Sequence, residues 1–279
     1  MAAALVAALC APLRGDTPAA AATPATPKVP AGAVRIVDAT RSGDSVLRRN
    51  ALAFSLENGI PVTIDRSDAA EALARLDTGR ADLAVLPVGE FPPSSRLRNR
   101  FYAAEAAVCC VAQENPLTKL GRDQLRSIFL AENPDWRRFN GDTAAIHRYA
   151  LSPRAEAAGL AEHLLGVKGF DAQITRVGST GEALVLLTAD PVGISLTSWR
   201  PEFPASVKRL AVDGVFPHPT AIRAGSYPLS LRYLLVAPQR NTPAAEKFLA
   251  LLDAPDHDRA LLDAGWLPPV PPSPGRSKW

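Results

Sequence analysis

The 279-residue sequence predicts an α/β fold, a mainly parallel sheet with helices on its faces, in a chain long enough for two lobes. Three observations predict it. From Ala33 onward, short apolar runs alternate with helix-forming segments, and that alternation implies a parallel sheet covered on both sides. The chain is 47% hydrophobic, enough to bury a large core, and long enough for two lobes. Finally, Ala144–Leu165 reads as the repeating unit itself: an apolar run, a Ser-Pro break, then helix formers.

Residues 1–30 differ from the rest. Met1–Leu13 is rich in Ala and Leu, and Arg14–Pro30 is a run dominated by Ala, Thr and Pro. The apolar part is shorter than the ~20 residues that span a bilayer and suits the core of a secretory signal. Ala20-Ala21-Ala22 offers a small-residue cleavage site. The expectation is a signal peptide with a linker, and a periplasmic or secreted protein. Leu9 ahead of Cys10 does not suit a lipid anchor.

After the leader, Ala33–Ala39 reads as a strand, followed by the polar turn Thr40–Asp44. Ser45–Asn58 is a helix with Val46, Leu47, Ala51 and Phe54 on one face, stopped by Gly59. Pro61–Asp65 is a second strand, Asp68–Asp77 a second helix and Asp82–Val88 a third strand. Ligands of such sheets sit at the carboxyl ends of strands, where Thr40, Arg41 and Ser42 fall. These hydroxyls also suit capping of the following helix. Val88-Gly89-Glu90 falls at another strand end; Glu90 reads as a solvated loop charge.

Phe91–Arg100 reads as a loop, Ala103–Ala112 as a buried strand and Leu120–Leu130 as a helix. Trp136 reads as packing. In Ala144–Leu165 the predicted helix runs from Arg154, with Leu160, Leu164 and Leu165 at helical spacing. Helix starts expose unpaired N–H groups, and an arginine fork there makes an anion seat. Two readings of Arg154 are open: that seat, or pairing with Glu156 or Glu162 on a solvated surface. Asp171–Val177 is the next strand, Gly181–Ala189 a helix capped by Ser179 or Thr180, and Val192–Ser198 a strand. Val207–Val212 and Tyr227–Ala237 are strands, Pro243–Asp253 and Asp256–Ala264 helices, and the tail from Pro268 is loose.

Composition removes several classes of function. The formal charge is only +3, and no basic run is interleaved with aromatics, so nucleic acid is not an expected partner. Cys109 and Cys110 point to opposite faces of one strand and read as small apolar residues. His147, His163, His218 and His257 lack metal-ligand spacing, so neither a metal nor a cofactor is expected. The sequence has no Gly-x-Ser-x-Gly elbow and no P-loop lysine, and no catalytic residue is assigned.

Several stretches carry a resemblance. Glu114–Trp136 (E-N-P-L-T-K-L-G-R-D-Q-L-R-S-I-F-L-A-E-N-P-D-W) resembles the entry to the second lobe of the phosphate-binding proteins of ABC-type phosphate importers. Gly178-Ser179-Thr180-Gly181, Asp190-Pro191-Val192-Gly193-Ile194, Leu210–Val215, Gly225–Ser230 and Ala264–Pro268 follow in family order. The resemblance implies a type II periplasmic binding protein with ligand held between two hinged lobes. Residues 31–106 with 228–267 would form one lobe, and 107–227 the other. The implied partners are a small phosphate-like oxyanion and a membrane permease, the protein itself being monomeric.

The family's arginine motif, Arg-x-Asp/Glu-x-Ser-Gly-Thr, corresponds here to Arg154-Ala155-Glu156-Ala157-Ala158-Gly159-Leu160. Arg154, Glu156 and Gly159 match, while both hydroxyl positions are apolar. Ala39-Thr40-Arg41-Ser42 keeps two hydroxyls of the family's first-lobe Gly-Ser-Ser-Thr and gains a guanidinium. The resemblance thus implies ligand contacts from Thr40, Arg41, Ser42, Arg154, Gly159, Ser179 and Thr180. Each lost hydroxyl contact removes about 1.5–3 kcal/mol, so three or four cost several powers of ten in affinity, offset in part by a bidentate arginine. Three functions remain open: oxyanion capture for an importer; a relative without tight phosphate binding that serves as an interaction or sensing domain; and an enzyme, for which the sequence offers no motif.

Overall fold

The protein, here a computed structural model, is described over residues 32–92, 96–131, 134–139, 144–155 and 157–270. The expected leader and linker, and the tail from 271, lie outside the described residues.

The first part of the chain winds β1 (Val34–Asp38), α1 (Ser45–Asn58), β2 (Val62–Arg66), α2 (Ala69–Asp77) and β3 (Leu83–Pro87). Then come β4 (Leu97–Ala112), β5 (Lys119–Leu120), α3 (Arg122–Leu130), β6 (His147–Leu151), α4 (Leu160–Leu165), β7 (Thr175–Val177) and α5 (Thr180–Thr188). The chain ends with β8 (Gly193–Ser198), β9 (Val207–Arg209), β10 (Ala211–Val212), α6 (Pro219–Ala224), β11 (Ser230–Pro238), α7 (Pro243–Leu252) and α8 (Pro255–Asp263).

Strand β1 lies between parallel partners β2 and β3. The late strand β11 then inserts antiparallel between β3 and the first part of β4. Beyond Ala106, β4 changes partners and pairs antiparallel with β8 and β9. Strands β8, β6 and β7 continue as parallel neighbours. One 16-residue strand therefore belongs to both parts of the sheet, and by its contacts Ala31–Trp279 is one unit.

Burial follows the same division. Val34, Ile36, Leu47, Phe54, Tyr233, Phe248 and Trp266 form a core on one face of the first part, with Phe54 meeting Phe248 edge-on at 5.2 Å. Val37, Ala72, Leu76, Leu86 and Val236 pack the opposite face. The second part has its own core around Val108, Cys109, Phe129, Leu187 and Leu196. Cys109 and Cys110 are free and buried there, and Trp136 packs into it with its indole N–H on the Val192 carbonyl at 2.9 Å.

Three expectations need correction, and one helix was not expected. The helix expected from Arg154 begins only at Leu160, because Pro153 opens a turn and Ala157 (φ 62°) and Gly159 (φ 78°) occupy the left-handed region. The loop expected to reach Arg100 ends earlier, since β11 zips β4 from Leu97. Val207–Val212 divides at Leu210, where the first piece pairs with β4 and the second with β5. Helix α6, unforeseen, opens with Pro219 at its first turn behind His218 as cap.

Candidate functional site

The carboxyl end of β1 is the best-organised polar region. Asp38, its last residue, is fully buried. One of its oxygens accepts the Thr40 N–H at 3.0 Å and the Thr40 hydroxyl at 2.6 Å, and the other accepts the Asp44 N–H at 3.2 Å. The guanidinia of Arg48 and Arg66 each lie 3.7 Å from it. Arg66 also donates to the Thr40 carbonyl at 2.8 Å. Gly43 takes φ 81° in this loop, a left-handed conformation that favours glycine.

Asp44 caps α1, accepting the Leu47 N–H at 2.8 Å on one oxygen and the Tyr102 hydroxyl at 2.5 Å on the other. Burial pushes its carboxyl up to about 6 against the pull of those bonds. Between Thr40 and Asp44, the Ser42 hydroxyl donates to Glu105. Glu105 sits in the middle of β4, 3% exposed, and also accepts the hydroxyl of Tyr233 from β11. Burial raises Glu105 to about 7; the Ser42 and Tyr233 bonds oppose the rise, and Asp44 and Asp38 add to it. Tyr233 in turn accepts the Arg41 N–H at 3.1 Å and stacks on Trp266 at 5.4 Å between centroids.

Arg41 reaches outward, to Glu90 at 3.3 Å. Glu90, expected to be a solvated loop charge, is therefore engaged, although both side chains are nearly half exposed. His163 of α4 lies in the field of this pair. Burial and Arg41 lower its affinity for a proton, and Glu90 raises it. The Arg41–Glu90 pair of the first part is thus within electrostatic reach of α4 in the second.

The residues of the second part are arranged differently. Arg154 is exposed in the turn after β6. Glu162, one of its two candidate partners, pairs instead with Arg176 at 3.1 Å; Glu156 lies outside the described residues. Gly159 stands in the cap position of α4, which has no side-chain cap. Ala157 and Leu160 are buried, and with Ala107, Leu151, Thr197 and Ser198 they line a cavity of about 10 Å³, room for a single water. Ser179 caps α5 by accepting the Glu182 N–H at 3.1 Å, while the Glu182 carboxylate accepts the Gly178 N–H at 2.7 Å. Thr180 is buried and accepts the Ser198 N–H at 3.3 Å.

The structure thus gathers Thr40, Arg41 and Ser42 around chain carboxylates, and spends Ser179 on the head of α5 and Thr180 on the Ser198 N–H. Asp38, Asp44, Tyr102, Glu105 and Tyr233 were not singled out from sequence. Glu105 carried a signal: it is the one charged residue in Ala103–Ala112. A carboxylate inside a buried strand needs partners, and those partners mark a polar junction. Among the described residues, no His, Cys, Asp and Glu cluster is arranged to hold a metal ion, and no helix is long and apolar enough to cross a membrane.

Comparison with known proteins agrees with the architecture. A PBP superfamily domain matches residues 23–253. Among solved structures, an ABC-type phosphate transport receptor from Vibrio cholerae is 20% identical, with a TM-score of 0.64 over 85% of this chain and 100% of that one. PstS from Borrelia burgdorferi is 15% identical, with a TM-score of 0.62 over 85% and 98%. A possible phosphate binding protein from Planctomyces limnophilus is 12% identical, with a TM-score of 0.73 over 85% and 93%. At such identities the likeness speaks for the fold. No curated protein matches the sequence. With the superfamily domain covering most of its length and the sheet wound as in type II periplasmic binding proteins, the chain belongs to the PBP superfamily.

Proposed function

We propose that the chain is a periplasmic or secreted solute-binding protein that takes a small oxyanion, phosphate or a close relative, for an ABC-type importer. The two parts joined by β4 act as its lobes, 31–106 with 228–267 and 107–227, and the solute lies between them near Arg41, Ser42 and Arg154. One observation carries the reading. Arg41 is met by the Glu90 carboxylate and Ser42 by the Glu105 carboxylate. A carboxylate offers the paired anionic oxygens that an oxyanion offers, so these groups already serve as an oxyanion seat, filled from within. That an ABC-type phosphate transport receptor and a possible phosphate binding protein share this fold supports the reading.

The expected affinity is modest, because a solute must displace Glu90 and Glu105, and because Ala158 and Leu160 supply no side-chain donors on the opposite side. Calorimetric titration with inorganic phosphate at pH 5.5 and 8.5 tests this. Saturable binding supports it, and no heat at millimolar phosphate at either pH overturns it.

A second reading has an observation of its own. Ala158 and the buried Leu160 stand where the family motif has hydroxyls and make the second-part seat apolar, which suits a relative that has given up phosphate and acts as an interaction or sensing domain. An absence of phosphate binding in a fully folded protein is the result it expects.

A further inference from the structure

The junction of Ser42, Glu105 and Tyr233 has a direction built into it. An ionised carboxylate only accepts, so the Ser42 hydroxyl spends its hydrogen on Glu105 and turns its lone pairs outward. In that state Ser42 presents the wrong polarity to an anion, and Glu105 adds a negative charge beside it. Once a proton sits on the Glu105 oxygen nearest Ser42, that oxygen becomes the donor. The Ser42 hydrogen is then released to turn towards a solute, while Tyr233 keeps its bond to the other oxygen.

We propose that Glu105 gates the oxyanion seat by setting which way the Ser42 hydroxyl points, so that the seat is open when Glu105 is protonated and shut when it is ionised. The proposal rests on the oxyanion reading above. The surroundings of Glu105 favour a change near neutrality. It is faced by Asp38 at the end of β1, Asp44 at the head of α1, Ser42 of the loop between them, and Tyr233 of β11, which holds the Arg41 N–H. Tyr102, also on β4, is engaged by Asp44, and Arg48 and Arg66 are engaged by Asp38. The guanidinium of Arg41 is turned to Glu90. Two buried acids and burial itself therefore hold the proton on Glu105 up to about pH 7.

The test compares the wild type with Glu105→Gln, whose amide donates to Ser42 at every pH as the protonated acid would. Phosphate affinity is measured by calorimetry for both proteins at pH 5.5 and 8.5. The proton equilibrium of phosphate itself is common to both and cancels in the ratio. The ratio of variant to wild-type affinity is expected to be close to one at pH 5.5 and about thirtyfold at pH 8.5, the factor by which a group with a midpoint near 7 leaves its protonated form. His163→Gln is expected to keep the pH dependence of the wild type, although His163 also titrates near Arg41.

An equal Gln-to-wild-type ratio at both pH values overturns the gate and leaves the oxyanion reading standing. A pH dependence lost in His163→Gln overturns it too. No phosphate binding by wild type or Glu105→Gln at either pH, with normal melting curves, overturns the oxyanion reading and the gate together. Should Glu105→Gln fail to fold, Ser42→Ala replaces it. The wild type must then bind phosphate more tightly than Ser42→Ala at pH 5.5 and equally at pH 8.5, and an advantage that persists at pH 8.5 overturns the gate.

Discussion

The hydroxyl of Ser42, in the loop behind β1, donates to the carboxylate of Glu105, buried in the middle of β4. The bond ties the first strand-to-helix turn to the strand shared by both parts of the sheet. It also places an acid where desolvation, not solvent, decides whether it is charged.

Stability should depend on pH through this acid. Its folded value, about 7, lies above the 4.5 of an ordinary glutamate, so between those values the folded protein holds a proton that the unfolded chain has lost. Stability from this group is therefore full below pH 4.5 and falls as pH rises to 7. Glu105→Gln removes the loss and should stabilise the protein by about 3 kcal/mol at pH 8 relative to its effect at pH 4.5. Chemical denaturation at the two pH values measures the difference; equal effects at both would contradict it.

Two guanidinia should divide binding from folding. Arg41 and Arg154 are exposed, and the Arg41–Glu90 pair is open enough to water to contribute about 1 kcal/mol or less to stability. Arg41→Ala and Arg154→Ala should each melt within a few degrees of the wild type and lose at least about tenfold in phosphate affinity. Unchanged calorimetric affinity in Arg154→Ala would remove that residue from the site.

Asp38 is the opposite case. It is buried and holds Thr40, the head of α1, Arg48 and Arg66. Asp38→Ala leaves several of these groups without their acceptor and should cost on the order of 3 kcal/mol. Urea denaturation checks this; a loss under 1 kcal/mol would mean that water replaces the carboxylate freely.

Glycines at similar angles should respond differently. Gly265 (φ 84°) ends α8, and a Cβ there would lie 2.7 Å from the backbone oxygen of Trp199. Gly159 (φ 78°) has open space around it. Gly159→Ala should cost about 1 kcal/mol from backbone strain, while Gly265→Ala should cost at least about 2 kcal/mol more from the clash. Similar melting shifts for the two would rule out the close approach at Trp199.

Much of the fold was legible because its signals are local. The helix over Ser45–Asn58 shows its buried face as periodicity and its stop as Gly59, and the alternation of strand and helix gives the parallel pairing of β1 with β2 and β3. What remained hidden depends on partners distant in sequence. Strand β4 begins at Leu97 because Pro238 lies opposite it, and the break at Leu210 reflects two different neighbours. The helix drawn from Arg154 failed because good helix formers yielded to the left-handed turn at Ala157 and Gly159. At the site, the strand-end position of Thr40, Arg41 and Ser42 could be read, but not what they touch. The acceptors of Arg41 and Ser42 are Glu90, in the turn after β3, and Glu105, inside β4, and no spacing rule connects them.

The placement of β11 sets an order on synthesis. Strand β3 has its β11-facing edge open until Ser230–Pro238 has been made, since Tyr233 through Val236 pair with Pro87 through Ala84. The core on that side is incomplete until Phe248 and Trp266 arrive. Strand β8, by contrast, has its partner β4 upstream, already translated, and β6 and β7 join it from the same middle stretch of the chain. The middle of the chain can therefore close while the beginning waits with an unpaired edge, and a nascent chain halted before Ser230 should be the form most prone to aggregate.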